Sequence, residues 1–256
     1  MKRVELTVSY DGTNYCGWQV QPNGTAVEAV LNKHLSALLK EDIQVIGASR
    51  TDSGVHALGN RAVFDTETRI PAEKICFALN QRLPEDISIQ SSREVPLDFH
   101  PRRQNSTKTY RYRILNRRMP IPTERNYTYF VYYPLNVENM QKAASYLVGK
   151  HDFASFCSAH AQVKDTVREV YSITVEKVGE EIVITVTGGG FLYNMVRIIV
   201  GTLVKVGLGV YAPEHVKDIL EARDRNAAGP KAPAQGLMLV GIEYEADKTQ
   251  KNGEKA

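Results

Sequence analysis

The stretch IQVIGASRTDSGVHALGNRAVFDT, Ile43 to Thr66, contains two strand-like segments on either side of a short polar turn. The segments 43–49 and 56–66 have the apolar content expected of strands. Around them the sequence predicts a strand at 4–11, a helix at 25–39, a helix at 71–83 and a strand at 86–95. The order β-α-β-β-α-β is typical of ferredoxin-like and RNA-recognition-type folds, in which helices cover one face of an antiparallel sheet.

The second half of the chain is predicted to contain a similar set of strands and helices over a longer segment. Strands are predicted at 108–116, 168–179, 181–188 and 237–245, and helices at 137–149, 191–207 and 213–222, with Asn136 or Leu135 starting the first of these helices and Pro213 just inside the third. Two α+β halves, 1–104 and 105–246, are therefore expected, with any shared site in the cleft between them. The tail 247–256 has no apolar pattern and is predicted to be disordered.

Composition restricts the class of protein. The chain has 256 residues, of which 43% are hydrophobic and 24% are charged, as in ordinary globular proteins. Its longest apolar region, 191–210, is interrupted by Arg197, Lys205 and several glycines, and its start lacks the apolar core of a signal peptide. The three cysteines are widely spaced. These features predict a cytoplasmic protein with no membrane span and no disulfide framework.

Positive charge is concentrated between Phe99 and Thr123. This segment has no acidic residue, and Tyr110 and Tyr112 are interleaved with its basic residues, which are Arg102, Arg103, Lys108, Arg111, Arg113, Arg117 and Arg118. Like charges at this density repel one another unless an anion is bound, so the segment predicts a nucleic-acid partner.

Arg197 is the charged residue whose surroundings are most unusual. Its predicted helix is apolar on nearly all sides, and such a helix is buried. A buried arginine needs a carboxylate or phosphate partner, and snorkelling from a helix end fits poorly because Arg197 is expected in the second turn. Asp52, in the turn of the opening stretch, is the predicted partner, since a neighbouring cation keeps a carboxylate ionised.

Other chemistries have weaker support. The glycines 188–190 precede a helix but lack the phosphate-binding motifs, so no nucleotide cofactor is predicted. Cys157 and His160 have metal-ligand spacing without a second pair, so no metal is predicted. An aspartic protease needs two Asp-Ser/Thr-Gly loops and this chain has one, which leaves only a homodimeric form of that alternative. A serine hydrolase is excluded because there is no GxSxG motif.

Six segments, in order along nearly the whole chain, are similar to the tRNA pseudouridine synthase A family: YDGTNYCGWQVQPN, SRTDSGVHALGN, KTYRYRI, HDFASF, GGGFLYNMVRIIVGTLVKVG and AGPKAPAQGLMLV. Two departures are Asn60, where the family usually has glutamine, and Lys231, where it usually has threonine. The resemblance implies two ferredoxin-like or RNA-recognition-like halves, joined through a continuous antiparallel sheet with a central cleft.

The resemblance also implies a reaction and a site. Uridine would be isomerised to pseudouridine in tRNA without a cofactor, in the anticodon stem-loop at about positions 38 to 40 of the tRNA, by a homodimer. Asp52 would be the catalytic carboxylate, Arg197 its basic partner, and Leu237 part of the pocket wall. Tyr110 would pack on the target base, and its hydroxyl would help to remove the C5 proton.

Two routes and two alternative functions stay open at this point. Asp52 either attacks C1′ as a nucleophile or removes the C2′ proton as a base. Flipping a base costs a few kcal/mol, which phosphate contacts from Arg50, Lys108 and Arg111 would offset. His56 either fills the gap left by the flipped base or is a hydrogen-bonded turn histidine. The alternative functions are a non-catalytic RNA-binding protein and a synthase acting on a different RNA.

Overall fold

The computed structural model describes residues 1–22, 24–158 and 165–245, so the predicted tail, 247–256, lies outside the described residues. The described residues contain five α-helices and ten strands. In chain order these are β1 (Lys2–Tyr10), α1 (Val27–Leu39), β2 (Ile46–Gly47), β3 (His56–Thr66), α2 (Ala72–Asn80), β4 (Ile87–Val95), β5 (Ser106–Asn116), β6 (Tyr129–Val131), α3 (Val137–Ser145), β7 (Gly149–Asp152), β8 (Val167–Val178), β9 (Glu181–Gly188), α4 (Met195–Gly207), α5 (His215–Ala222) and β10 (Leu237–Tyr244).

The chain divides into two compact units. Unit 1 contains Met1–Asn105 and the described residues from Leu239 on, and unit 2 contains Ser106–Met238. This division differs from the expected halves in assigning most of the last strand, β10, to unit 1. The predicted class, α+β with a large and mostly antiparallel sheet, is confirmed. The central cleft stays a prediction.

Unit 1 has the predicted β-α-β-β-α-β order, and its strands lie in the order β4-β1-β3-β10, with β2 paired to β3. Alternate residues of β1 (Val4, Leu6 and Val8) are fully buried, as expected when helices cover one face of a sheet. Helix α1 contributes Leu31 and Leu35 to the same core, one turn apart on its buried face. Each such side chain contributes about 1.5–3 kcal/mol of burial free energy, so this core stabilises the fold of unit 1.

Unit 2 has the strand order β5-β9-β8-β7, with the short β6 parallel to β5. Asn136 caps α3, because its side chain accepts a hydrogen bond from the Asn139 backbone, and this prediction is confirmed. The placement of Pro213 inside α5 is wrong, since that helix begins at His215. Strands β6 and β7, of three and four residues, are too short to show an alternating pattern and were not predicted.

The helix predicted at 191–207 begins later than expected and ends at the expected residue, Gly207. Helix α4 starts only at Met195, because Asn194 adopts a left-handed conformation with φ 61° and ends the preceding turn. Arg197 therefore lies in the first turn of the helix and not in the second. Its predicted burial is confirmed, with 8% of the residue exposed.

No helix in the described part of the chain is long and apolar enough to cross a bilayer. Cys16, Cys76 and Cys157 form no disulfide bond.

Candidate active site

Asp52 lies in a loop of residues 48–55, here called the Asp52 loop, between β2 and β3 of unit 1. The residue is half-buried, and its backbone carbonyl accepts a hydrogen bond from Val55 at 3.1 Å, which closes a tight turn. Gly54 supplies the positive φ of 77° that this turn requires. The turn therefore fixes the direction in which the backbone of Asp52 enters β3.

A second loop, residues 11–18, packs directly on the Asp52 loop. Gly17 pairs with Asp52 in an isolated antiparallel bridge, and the Trp18 amide donates to the Thr51 carbonyl at 3.1 Å. Gly17 has a φ of 105°, and a Cβ atom at this position would lie 2.5 Å from the Thr51 oxygen. Only glycine allows the two backbones to approach so closely.

Loop 11–18 is itself anchored by a carboxylate. The Tyr15 hydroxyl donates to Asp86 Oδ1 at 2.5 Å, and burial together with this hydrogen bond raises the pKa of Tyr15. The Tyr15 carbonyl in turn accepts from the Gly54 amide at 3.3 Å and from the Ser53 hydroxyl at 3.2 Å. Asp86 thus supports the Asp52 loop through Tyr15.

The first part of the Asp52 loop is held by side chains of β1 and β3. The hydroxyls of Tyr10 and Thr51 share a hydrogen bond of 2.7 Å, and Tyr10 is buried. Ser49 is bound by the side-chain amide of Asn60. Asp52 is therefore fixed from both sides through its neighbours in sequence.

His56 is buried at the start of β3. Its Nδ1 atom lies 3.0 Å from the Gly12 amide nitrogen and 3.0 Å from Asp11 Oδ1. A ring nitrogen that carries a proton donates a hydrogen bond, and one without a proton accepts. The tautomer of His56 therefore decides whether Nδ1 accepts from the Gly12 amide or donates to Asp11 Oδ1. This is the position of a hydrogen-bonded turn histidine, and filling the gap of a flipped base stays a prediction.

In unit 2, Arg197 is held by polar groups of its own surroundings. Its Nε donates to the Ala232 carbonyl at 2.8 Å, and one terminal nitrogen donates to Asn194 Oδ1 at 3.2 Å. The backbone supports this arrangement, since the Ala232 amide donates to the Arg197 carbonyl at 3.0 Å. A Cβ atom on Gly201 would lie 1.7 Å from the Pro230 oxygen, so a glycine is required for the segment before Ala232 to lie along α4.

Tyr110, Lys108 and Leu237 also belong to unit 2. Tyr110 is buried in β5 opposite Val186, and its ring meets Phe191 edge-on with centroids 5.3 Å apart. Lys108 lies two residues earlier and is half-buried, so both side chains point to the same face of β5. Leu237 is buried at the first position of β10.

Some basic residues of the segment Phe99–Thr123 are paired with carboxylates. Arg113 forms ion pairs with Glu181 at 2.6 Å and Glu124 at 3.1 Å, and Arg117 pairs with Glu180 at 2.7 Å. Although the segment itself contains no acidic residue, strand pairing and turns bring acids from elsewhere in the sequence to these two arginines.

Arg50 and Arg111 are exposed, and Arg111 lies on the opposite face of β5 from Tyr110. Arg102 donates through Nε to the Gly47 carbonyl at 2.7 Å. Burial and the like charge of Arg50 lower the pKa of Arg102, so these two guanidinium groups form a positive surface beside the Asp52 loop.

Among the described residues, no group of three or more His, Cys, Asp and Glu side chains is arranged to hold a metal ion. His160, one half of the CxxH spacing, lies outside the described residues.

Several residues that shape the site were not predicted from the sequence. They are Gly17, Tyr15 and Asp86 around loop 11–18, and Asn194 and Ala232 around Arg197. They act through backbone atoms or through partners distant in sequence, so neither spacing nor charge pattern indicates them. The one available signal is YDGTNYCGW, where two glycines surround a tyrosine just after a strand.

Comparison with known proteins gives one consistent result. A family model described as tRNA pseudouridine synthase matches residues 6–102 and 143–245. A tRNA pseudouridine synthase A of Thermoanaerobacter sp. strain X514 is 50% identical over 244 residues, which is 95% of this chain and all of that protein. The protein of the same name from Brevibacillus brevis is 48% identical over 244 residues, with the same coverage. The solved archaeal box H/ACA sRNP Nop10–Cbf5 complex covers 90% of this chain and 61% of that chain, at 12% identity and a TM-score of 0.36, which is too weak a likeness for a conclusion.

Proposed function

The chain belongs to the tRNA pseudouridine synthase family, and from this membership and the geometry of the Asp52 loop we propose that it isomerises uridine to pseudouridine in tRNA. The reaction breaks the N1–C1′ bond, turns the uracil and joins C5 to C1′. Substrate and product contain the same atoms, so no cosubstrate is consumed. The observation that carries the proposal is a half-buried carboxylate on a loop whose backbone is bound by segments on both sides.

Asp52 is the catalytic carboxylate in this proposal. It acts at the ribose, either as a nucleophile at C1′ or as a base that removes the C2′ proton. The two routes differ in one bond, because only the second breaks C2′–H. Deuterium at C2′ of the target uridine would slow the second route through a primary isotope effect and leave the first nearly unchanged.

Arg197 is proposed as the basic partner of Asp52. Its burial and its fixed hydrogen bonds to Ala232 and Asn194 support this role, since a guanidinium held in place loses little entropy when it binds a carboxylate. The pairing would hold the carboxylate in a fixed orientation before the substrate binds.

Tyr110 and Leu237 are proposed as walls for the uracil. Phe191 fixes the plane of the Tyr110 ring by its edge-on contact, and a fixed aromatic ring can hold a base while the base turns over. The Tyr110 hydroxyl is proposed to help remove the C5 proton in the last step, taking up that proton as its own proton passes to solvent.

Binding of the tRNA backbone is proposed for Arg50, Lys108 and Arg111, joined by Arg102. The positive surface of Arg50 and Arg102 beside the Asp52 loop supports this role, because mutually repelling cations gain most from a shared phosphate. Each phosphate contact steepens the salt dependence of binding. We expect Arg50→Ala to reduce the slope of log K against log salt by about 1.

The finer target is proposed to be the anticodon stem-loop, at about positions 38 to 40 of the tRNA, where bases are reached without opening a long helix. A homodimer in the cytoplasm is the proposed working form. Tyr132 and Tyr133 support a partner surface in unit 2, since their rings are 48% and 66% exposed and meet edge-on at 5.1 Å. Sedimentation of wild type and Tyr133→Lys would test the dimer.

The function is tested with tRNA transcripts carrying tritium at C5 of uridine. Formation of the C5–C1′ bond expels this hydrogen, so tritium release by the wild-type protein is the expected result, and mapping of the modified positions would test the anticodon target. Salt-sensitive tRNA binding without release would favour a non-catalytic RNA-binding protein. Release from another RNA only would favour a synthase with a different substrate.

A further inference from the structure

The Asp52 loop leaves the sheet at one particular residue. Strand β2 pairs with β3 through Ile46 opposite Val63 and Gly47 opposite Ala62. The next backbone contact is the hydrogen bond from the Ala48 amide to the Arg61 carbonyl, at 2.7 Å. A regular antiparallel ladder would continue with Ser49 opposite Asn60.

In such a ladder the Ser49 amide and carbonyl would point away from β3, because hydrogen-bonded and non-hydrogen-bonded pairs alternate and the Ala48 amide already points to β3. In this structure both groups of Ser49 are instead bound by the side chain of Asn60. Its Oδ1 accepts from the Ser49 amide at 3.2 Å, and its Nδ2 donates to the Ser49 carbonyl at 3.0 Å. Oδ1 also accepts from the Arg61 amide at 3.0 Å. The amide of Asn60 thus binds both the N–H and the C=O of Ser49 from the end of a side chain, at a position where the regular ladder provides no backbone partner.

Ser49 is therefore held to β3 through the length of one asparagine side chain. Asn60 is fully buried, so its amide has one orientation in which all three hydrogen bonds are made. Ser49 lies three residues before Asp52, and Thr51 between them is bound to Tyr10 and to the Trp18 amide. The offset at Ser49 therefore sets where the segment 50–52 begins.

We propose that Asn60 is a positioning residue for the reaction, and that the length of its side chain sets the distance of the Asp52 carboxylate from strand β3. The inference rests on the proposed catalytic role of Asp52. It assigns Asn60 no contact with the substrate. A glutamine at this position would keep the amide but add one C–C bond of about 1.5 Å between the amide and the strand.

A matched control lies in the same unit. Asn80 makes an equivalent pair of hydrogen bonds, with Nδ2 donating to the Ile89 carbonyl at 2.9 Å and Oδ1 accepting from the Ile89 amide at 2.7 Å. This pair joins α2 to β4 and does not touch the Asp52 loop. Asn80→Ala therefore removes the same type of interaction without moving the carboxylate.

The test compares Asn60→Ala, Asn60→Gln, Asn80→Ala and Asp52→Asn in the full chain. Single-turnover tritium release from C5-labelled tRNA gives the rate, filter binding gives the Kd for tRNA, and thermal melting gives Tm. We expect Asn60→Ala to release tritium about 100-fold more slowly with Kd changed less than about 2-fold, because a misplacement of about 1 Å has this effect. Asn60→Gln should lose about 10-fold, and Asn80→Ala should lower Tm but keep the wild-type rate.

The outcomes separate the two claims. Wild-type release by Asp52→Asn would overturn the proposed function itself. An inactive Asp52→Asn with a wild-type rate for Asn60→Gln, or with equal rate losses for Asn60→Ala and Asn80→Ala, would overturn the positioning role alone. If Asn60→Ala does not fold, the positioning role is tested by the other two variants. A slower release by Asn60→Gln than by Asn80→Ala supports it, and equal rates overturn it.

Discussion

Gly17→Ala is the substitution whose effect follows most directly from the geometry of the site. The added Cβ would lie 2.5 Å from the Thr51 carbonyl oxygen and 3.1 Å from the Asp52 carbonyl carbon. Ordinary contact begins at 3.4 Å, so the two loops must separate by about 0.9 Å. The obstacle is backbone on both sides and not the flexible end of a side chain. The Asp52 loop therefore has to move.

The expected loss in rate follows from this displacement. A misplacement of about 1 Å at a reacting group costs about 100-fold, which corresponds to about 2.7 kcal/mol of the activation free energy. Alanine at a φ of 105° also strains the backbone, and such strain costs on the order of 1–2 kcal/mol of folding free energy. A control variant must therefore show the effect of backbone strain alone, without the steric contact.

Gly179→Ala is that control. Gly179 also has a positive φ, 62°, but an added Cβ would meet nothing within 4 Å. The control should therefore lower Tm and leave the single-turnover rate of tritium release unchanged. Folded Gly17→Ala protein that turns over as fast as Gly179→Ala would refute the predicted displacement of the Asp52 loop.

Three further predictions concern single residues. Arg197→Met should lower the free energy of unfolding by about 1–3 kcal/mol, because the buried carbonyl of Ala232 loses its donor. The same variant should release no tritium. Wild-type turnover and a wild-type Tm in this variant would refute the pairing of Arg197 with Asp52. Tyr110→Phe should keep tRNA affinity and slow release by about 100-fold or more, and an unchanged rate would remove the proton-transfer role. The hydrogen bond from Arg3 lowers the pKa of Asp65, so its contribution to stability is present above about pH 4 and is lost as pH falls through the lowered pKa. Asp65→Asn should therefore show a smaller fall in Tm between about pH 6 and pH 3 than wild type.

Much of the fold follows from local pattern. Strand β3 and the order of elements in unit 1 were predicted because alternating and helical periodicities are local properties. The start of α4 was predicted four residues too early, since the left-handed backbone at Asn194 is set by its surroundings and not by the apolar run that contains it. Strand β2, Ile46–Gly47, is shorter than predicted, and the last backbone hydrogen bond to β3 is that of the Ala48 amide.

The candidate site was predictable in its charged residues and not in its supports. Asp52 and Arg197 stand out because a carboxylate in a turn and an arginine in an apolar helix are chemically costly unless they serve a purpose. Asn60 was noted only as a departure from the family, yet its amide binds the backbone at the point where the Asp52 loop leaves the sheet. The partner of such an amide is decided by register across two strands, which a linear pattern does not contain.

The central claim is that Asp52 is the catalytic carboxylate of uridine isomerisation, and one measurement tests it directly. Tritium release from C5-labelled tRNA is compared for wild type, Asp52→Asn and Asp42→Asn, where Asp42 is an exposed residue in the loop after α1. Wild type and Asp42→Asn should release tritium at the same rate, and Asp52→Asn should release none while binding tRNA with similar affinity. Release by Asp52→Asn at the wild-type rate would contradict the account.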